Sequence, residues 1–335
     1  MAVGSGLGSQ FGFSAETTWG TRVAPTKFLR AKSYSLTRTE NRPQGEGIQA
    51  GVLGQLGAHY VETTEAGTGA ISFDVTPVGI GLILQAITGG TSTVEQQDAS
   101  TAYLQTHTLG DPMKSLTAQI GVPYRGGTVY CEELTGAKVA SAEFSCSADG
   151  ILGATVNLDA KKWDNSQTLA AASYSTQPAL PVFHGKHMNV KTGTFGAETP
   201  VTGQVRNVST TWTNPLDTED YTAGSTGLKG EQVRNGPVTI TGSIGVDWTT
   251  GAKTTFEDLR VANTSTSLVL EWIGPIIAGS SLDWGFRITL PGVFFGGDSP
   301  GIQGPGEVTV DYGYEWKYDG TNTPTIMMRS TDTAL

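Results

Sequence analysis

Basic clusters are missing from this sequence. No run of four or more lysines or arginines occurs, and no aromatics alternate with basic residues, so a surface that grips a phosphate backbone has no foundation. Charge of either sign is sparse at 16%, and the balance is acidic, with 31 Asp and Glu against 21 Lys and Arg for a formal net charge of -10. Such a surface repels nucleic acid. Long apolar runs are missing too. The longest, Val78 to Ile87, is interrupted by Gly79, Gly81 and Gln85 and is about half of the ~20 residues a membrane helix needs. Cysteine is limited to Cys131 and Cys146. Met1 to Gly6 has neither a basic n-region nor an apolar h-region, so no secretory signal is read there. The chain is expected to fold in a cytoplasm, where both cysteines stay free.

Glycine is abundant at 45 of 335 residues, close to twice the usual ~7%. It is spread among Thr and Ser, which favours many short strands over helices. The length suits two domains. Strict alternation marks the strands. Ala140, Ala142, Phe144, Cys146 and Ala148 alternate with Ser141, Glu143, Ser145 and Ser147, and the parity continues through Leu152, Ala154, Val156 and Leu158. One face is dry and the other wet. A two-residue Asp149-Gly150 loop would set apolar against polar. A three-residue loop, 148–150 with Gly150 left-handed, pairs Cys146 with Leu152 and Phe144 with Ala154.

The same alternation recurs from Val308 to Tyr318 and again ends in Asp-Gly, at Asp319-Gly320. An offset of 170 residues lays Tyr314 on Phe144 and Trp316 on Cys146, which reads as an internal duplication. Ala70 to Val75 leads into Val78–Ile87, as Val238–Trp248 leads into Thr254–Asn263. The second of these segments is expected to be a short helix with Phe256, Leu259 and Val261 inward; the first fits a helix or a strand. Two polar glycine-rich intervals, 39–60 and 214–235, exceed the ~15 residues beyond which loops are usually functional or disordered. The expected organisation is an N-terminal arm (1–26), a first β domain (27–165), a linker (166–181) with the boundary near 175, and a second β domain (182–335).

Sites for chemistry are not expected. Gly4 to Gly8 lacks the preceding strand that a phosphate loop requires. His184 and His187 have no third ligand at metal spacing, and His59 and His107 have no nearby partner for nucleophilic catalysis. Asp217-Thr218-Glu219-Asp220 lacks the pattern of a calcium loop. No catalytic residue, metal ligand, cofactor or enzymatic activity is therefore assigned. Trp316 is expected in the core; for Trp19, Trp212 and Trp272 the alternation does not decide.

Gly4-Ser5-Gly6-Leu7-Gly8-Ser9-Gln10-Phe11-Gly12-Phe13, then Glu16-Thr17-Thr18-Trp19-Gly20-Thr21 and Pro25-Thr26-Lys27-Phe28-Leu29, resemble the start of siphophage (long-tailed bacteriophage) tail tube proteins, as does Gly136-Ala137-Lys138-Val139-Ala140-Ser141. The resemblance implies an all-β fold with minor α, here two tandem tail-tube-like β-sandwich domains, each with one short flanking helix. It implies a structural virion protein that assembles in the host cytoplasm into stacked rings forming the tail tube. DNA would pass through the lumen without specific binding. Implied partners are further copies of itself, the tape measure, the tail terminator and the tail tip proteins, with no membrane. Under this reading 39–60 and 214–235 reach the adjacent ring, Phe11, Phe13 and Trp19 anchor a mobile arm on a neighbour, and the lumen is net negative. Three chains close a pseudo-hexameric ring, or six chains do so with one copy projecting outward. A two-domain β-sandwich that binds carbohydrate or a cell surface is the alternative.

Overall fold

The computed structural model describes residues 4–111, 113–124, 129–174, 181–202, 204–302 and 304–335. The supposed boundary near 175, with Pro178, lies outside them. Half of the chain is strand. In the first part these are β1 (Gln10–Ala15), β2 (Lys27–Leu29), β3 (Ala31–Asn41), β4 (Thr64–Asp74), β5 (Gly89–Gln96), β6 (Tyr103–Leu109), β7 (Leu116–Pro123), β8 (Val129–Ser147), β9 (Gly153–Ala160) and β10 (Lys162–Asp164). The second part has β11 (Met188–Gly193), β12 (Thr199–Pro200), β13 (Val205–Thr213), β14 (Thr239–Asp247), β15 (Thr266–Ile276), β16 (Asp283–Gly296), β17 (Thr309–Trp316) and β18 (Thr325–Ser330). The fold is all-β with minor α, and among the described residues every pairing between these strands is antiparallel, with one isolated parallel bridge from Glu65 to Leu228.

One layer is a continuous sheet in the order β3-β4-β9-β8-β13-β14-β17-β16. Two further layers back it. The first is β2-β1-β7-β8-β10, and the second is β5-β6-β18-β16-β15-β11-β12. The long strands β8 and β16 belong to two layers each. Near the crossing each carries a left-handed glycine, Gly136 (φ 69°) and Gly292 (φ 73°). A Cβ on Gly136 would lie 2.9 Å from the Lys161 side chain, and one on Gly292 would lie 2.5 Å from the Lys317 carbonyl oxygen. Left-handed backbone disfavours any L side chain by about 1–2 kcal/mol. Gly136→Ala and Gly292→Ala are each expected to lower the unfolding free energy by at least that much in urea titrations, whereas Gly6→Ala, whose Cβ would meet nothing within 4 Å, serves as the neutral control.

The dry faces meet in one core. Phe144 packs at 5.4 Å and Trp272 at 5.9 Å from Phe286, between ring centroids. The Val78–Ile87 segment resolves to a helix, α1 (Gly81–Thr88), stopped by left-handed Gly89. Residues 250–261 are helical, with Lys253–Glu257 in π geometry and the Thr249 hydroxyl accepting from the Ala252 amide. Phe256 is fully buried against Phe295 and Tyr312. Val261, expected inward, is 70% exposed, because the widened π turn rotates it off the stripe.

Three expectations need correction. Phe144 pairs with Ala154 as expected, but β8 stops at Ser147, β9 starts at Gly153, and Gly150 is not left-handed. The chain widens there because Ile151 bridges to His184 and the Leu152 amide donates to the Phe183 carbonyl. Next, Asp319-Gly320 does turn, with Gly320 at φ 89°, yet β17 and β18 do not pair with each other. They lie end to end along one edge of β16, on Val293–Gly296 and Gly285–Thr289 respectively. By sheet position β8 therefore answers to β16 and β9 to β17, and the 170-residue offset is not the structural one. Finally, Phe11 and Phe13 do not sit in a mobile arm: β1 is hydrogen-bonded on both sides and both rings are buried in the chain's own core.

His107 on β6 is fully buried between β5 and β18, with Nδ1 2.8 Å from the Ser92 hydroxyl. Desolvation pushes its pKa down from 6.5 to about 4. The unfolded chain therefore takes up a proton where the folded one does not, so stability is full above pH 6.5 and falls as pH drops toward 4. The shift corresponds to about 3 kcal/mol. The expected result is that His107→Asn removes roughly that much of the difference in unfolding free energy between pH 7 and pH 4.5, read in urea titrations of both proteins.

Candidate functional site

Alternation gives the eight-stranded layer one buried and one open face. Leu36, Ile71, Phe73, Phe144, Val156, Val208, Trp212 and Ile244 point inward and are buried. The residues between them carry hydroxyls and amides in cross-strand register. Thr37 faces Thr68, Ser72 faces Thr155, Ser141 faces Asn157 and Thr213, and Ser209 lies between Ser145 and Ser243. Hydrogen bonds link them across strands, Ser72 to Thr155 at 3.1 Å, Asn157 to Ser141 at 2.9 Å and Ser209 to Ser243 at 2.9 Å. The carboxylates on this face include Glu143 at its centre, between Thr155 and Thr211, Asp74, Asp247, Asp311 and Glu315 toward its margins, and Asp159 at one rim, where Lys229 covers it. Lys32 lies 2.5 Å from Asp74, Arg206 bonds to Asp247, and Lys317 bonds to Glu315. Neither lysine is at the centre. The surface is wet, close to neutral and slightly acidic.

At one rim of this face the 214–235 interval is fastened to its own chain. It does not reach outward as expected, because its polar groups find buried partners on the first half. Lys229 Nζ lies 2.7 Å from Asp159, and Gln232 Nε2 donates to the same carboxylate at 3.0 Å. Lys138 Nζ donates to Glu231 at 2.8 Å and to the Gln232 carbonyl at 2.7 Å. Trp19 Nε1 donates to Gln232 at 3.1 Å, while the Lys161 ammonium lies 4.6 Å from the Trp19 ring centroid. Asn214 Nδ2 donates to the carbonyls of Ile87 and Val139. The Gly227 carbonyl accepts from the Glu65 amide at 2.9 Å. The stretches Glu16–Thr21 and Gly136–Ser141 thus converge here, and they are joined directly where Glu16 accepts from the Gly136 amide at 2.7 Å. The other long interval behaves differently. Ile48, Val52, Leu53, Leu56, Tyr60 and Val61 are all exposed.

The remaining candidates are not brought together. His184 and His187 stack with centroids 3.7 Å apart; burial and the neighbouring ring hold the His187 pKa below its usual value. Among the described residues no group of three or more His, Cys, Asp or Glu is placed to hold a metal. His59 is exposed, and His107 is enclosed in the second backing layer. In the acidic stretch, Asp217 accepts from the Glu219 amide and Asp220 lends its carbonyl to Gly230. Trp316, Trp212 and Trp272 are buried and Trp19 is half-buried. Cys131 and Cys146 are buried free thiols, with Cys131 pushed up to about 11 by desolvation. Parity marked the open face in the sequence. The clasp was not legible, since its partners are up to 213 residues apart.

A strand-built molecule with one broad hydroxyl-bearing face and open strand edges has the features of a structural assembly unit. A family model described as phage tail tube protein matches residues 6–316, and the chain belongs to that family. Compared with the curated proteins, the chain matches none. Its general role is that of a structural component of the virion tail, assembling with copies of itself. Among the described residues no helix is long and apolar enough to cross a membrane.

Proposed function

We propose that the chain polymerises into stacked rings whose lumen is lined by the hydroxyl face of the eight-stranded sheet, and that DNA leaves the virion through this lumen. The observation that carries the reading is the pair of open edges. Among the described residues β3 has a strand partner only on the β4 side, and β16 beyond Val293 has one only on the β17 side. Open edges invite pairing with another chain, and here they stand at opposite ends of one sheet, so a head-to-tail contact closes into a ring. A neutral to acidic lining releases no counterions from DNA and does not hold it. The protein works without catalysis or cofactor, is assembled in the host cytoplasm, and meets the tape measure, tail terminator and tail tip proteins at the ends and core of the tube.

Three chains complete each ring. Four strands, β3-β4-β9-β8, are followed by four in the same order of connection, β13-β14-β17-β16. The paired left-handed glycines and the matching stretches Ile71-Ser72-Phe73-Asp74-Val75-Thr76 and Ile244-Gly245-Val246-Asp247-Trp248-Thr249 support a duplication of one tube unit within 27–165 and 182–335, with 166–181 between them. The contact between β8 and β13 is then the model for the contact between chains, already made within each chain at high effective concentration. Electron microscopy of the purified protein is expected to show rings or tubes with three-fold symmetry. A reconstruction with six chains around one ring would refute the stoichiometry, and a protein that stays monomeric at all concentrations would refute the assembly.

A further inference from the structure

The two long intervals share a sequence feature that the fold places in register. Ala50-Gly51-Val52-Leu53-Gly54-Gln55-Leu56-Gly57 and Ala223-Gly224-Ser225-Thr226-Gly227-Leu228-Lys229-Gly230 both read Ala-Gly-x-x-Gly-x-x-Gly. Gly51 and Gly224 are both left-handed, at φ 83° and 91°. Each interval leaves and re-enters the sheet between equivalent strands, β3 and β4 or β13 and β14. One is seated on the unit beside it, and the other leaves its apolar side chains exposed.

We propose that the 42–61 arm of one copy lies across the rim of the second unit of a neighbouring copy in the same ring, in the position that 214–235 takes on the first unit. The proposal rests on the side-by-side assembly above. The seat on the first unit is the pair Lys138 and Asp159, opposite each other on β8 and β9, with Thr68 beside Asp159. The matching pair on the second unit is Phe294 and Glu315 on β16 and β17, with Thr241 beside Glu315. The arm changes in step with the seat. Where Glu231 meets the Lys138 ammonium, the arm has Ala58 to meet the half-buried Phe294 ring. Where Gln232 donates to Asp159, the arm has His59, whose ring N–H donates to Glu315. Where Lys229 neutralises Asp159, the arm has Leu56, and Glu315 is already paired with Lys317 in its own chain. A polar clasp within the chain is thus answered by a largely apolar one between chains, which explains why Leu53, Leu56 and Val52 are left exposed in a single copy.

The test is a disulfide between copies. In the full chain carrying His59→Cys and Glu315→Cys, rings oxidised in place are expected to run on non-reducing gels as a ladder that ends at the number of copies in one ring. Cys131 and Cys146 are buried and do not compete. A ladder extending into long polymers would place the arm on the next ring and overturn the proposal, as would rings seen by microscopy with no cross-link. If the unsubstituted protein forms no rings at all, the assembly reading falls and takes this one with it. A second variant, Leu53→Asp with Leu56→Asp, changes residues that are exposed in the monomer. It is expected to keep the monomer's melting temperature while lowering ring yield at least tenfold, and an unchanged ring yield would overturn the proposal.

Discussion

Asp159→Ala will lower the unfolding free energy by about 3–5 kcal/mol, the range expected when one partner of a buried ion pair is removed and the other stays behind. Lys229 and Asp159 are 4% and 8% exposed at the side chain and 2.7 Å apart. Without the carboxylate an ammonium remains buried, and Gln232 loses an acceptor at the same time. The loss is not confined to one contact. Asp159 pins two residues of the 214–235 interval, which in turn holds Trp19 and Lys138. Amide exchange in 217–233 should therefore rise together with the fall in stability. Asp159→Leu combined with Lys229→Met, which removes both charges and keeps the volume, should recover most of the stability. Urea unfolding of the three variants decides the matter. A drop below about 1 kcal/mol for Asp159→Ala would mean that water or another cation compensates and that the clasp is weak.

The second large effect concerns passage of DNA. Ser145→Lys, Asn157→Lys and Asn207→Lys, all exposed on the hydroxyl face and outside both rim seats, together place three ammonium groups per chain on that face, repeated in every ring of the proposed tube. Each phosphate neutralised adds close to one unit to the slope of log affinity against log salt. Assembled tubes of this variant should retain duplex DNA in filter binding at low salt and release it at high salt, and virions built from it should eject at least tenfold more slowly at low ionic strength. The positions lie on the open face, so monomer stability should move by no more than about 0.5 kcal/mol. Ejection at the unsubstituted rate in low salt would show that this face is not the lining.

The strands and the two faces of the main sheet were legible because period-2 alternation is a local signal. Phe144, Val156 and Ile71 are inward and Glu143, Thr155 and Ser72 outward, as parity dictates. The candidate face could therefore be listed from the sequence, but its extent could not. Whether β9 sits beside β4, or β8 beside β13, depends on contacts across scores of residues. The proposed duplication was read in a register that the sheet does not keep. The repeated Asp-Gly dipeptides were read as equivalent turns, whereas by sheet position Gly136 with Lys161 matches Gly292 with Lys317, which composition does not highlight. The shared Ala-Gly-x-x-Gly-x-x-Gly stretch was present in the sequence as a usable signal. β1 was missed because its glycines and small residues read as flexibility, while the burial of Phe11 and Phe13 comes from β7, about a hundred residues later.

The placement of β18 bears on how the chain is made. β18 slots between β6 and β16 in the second backing layer, and it leaves the ribosome after every other described strand. Until it arrives, β6 and β16 each present a bare edge, and His107 has no strand over it on that side. A truncated chain therefore has unmatched edges and a half-covered core, the features that mark a chain for aggregation or degradation. Because β5 and β6 come from the first half and β18 from the second, the backing layer is also a check on completeness. Neither half can complete this backing layer in the other's absence.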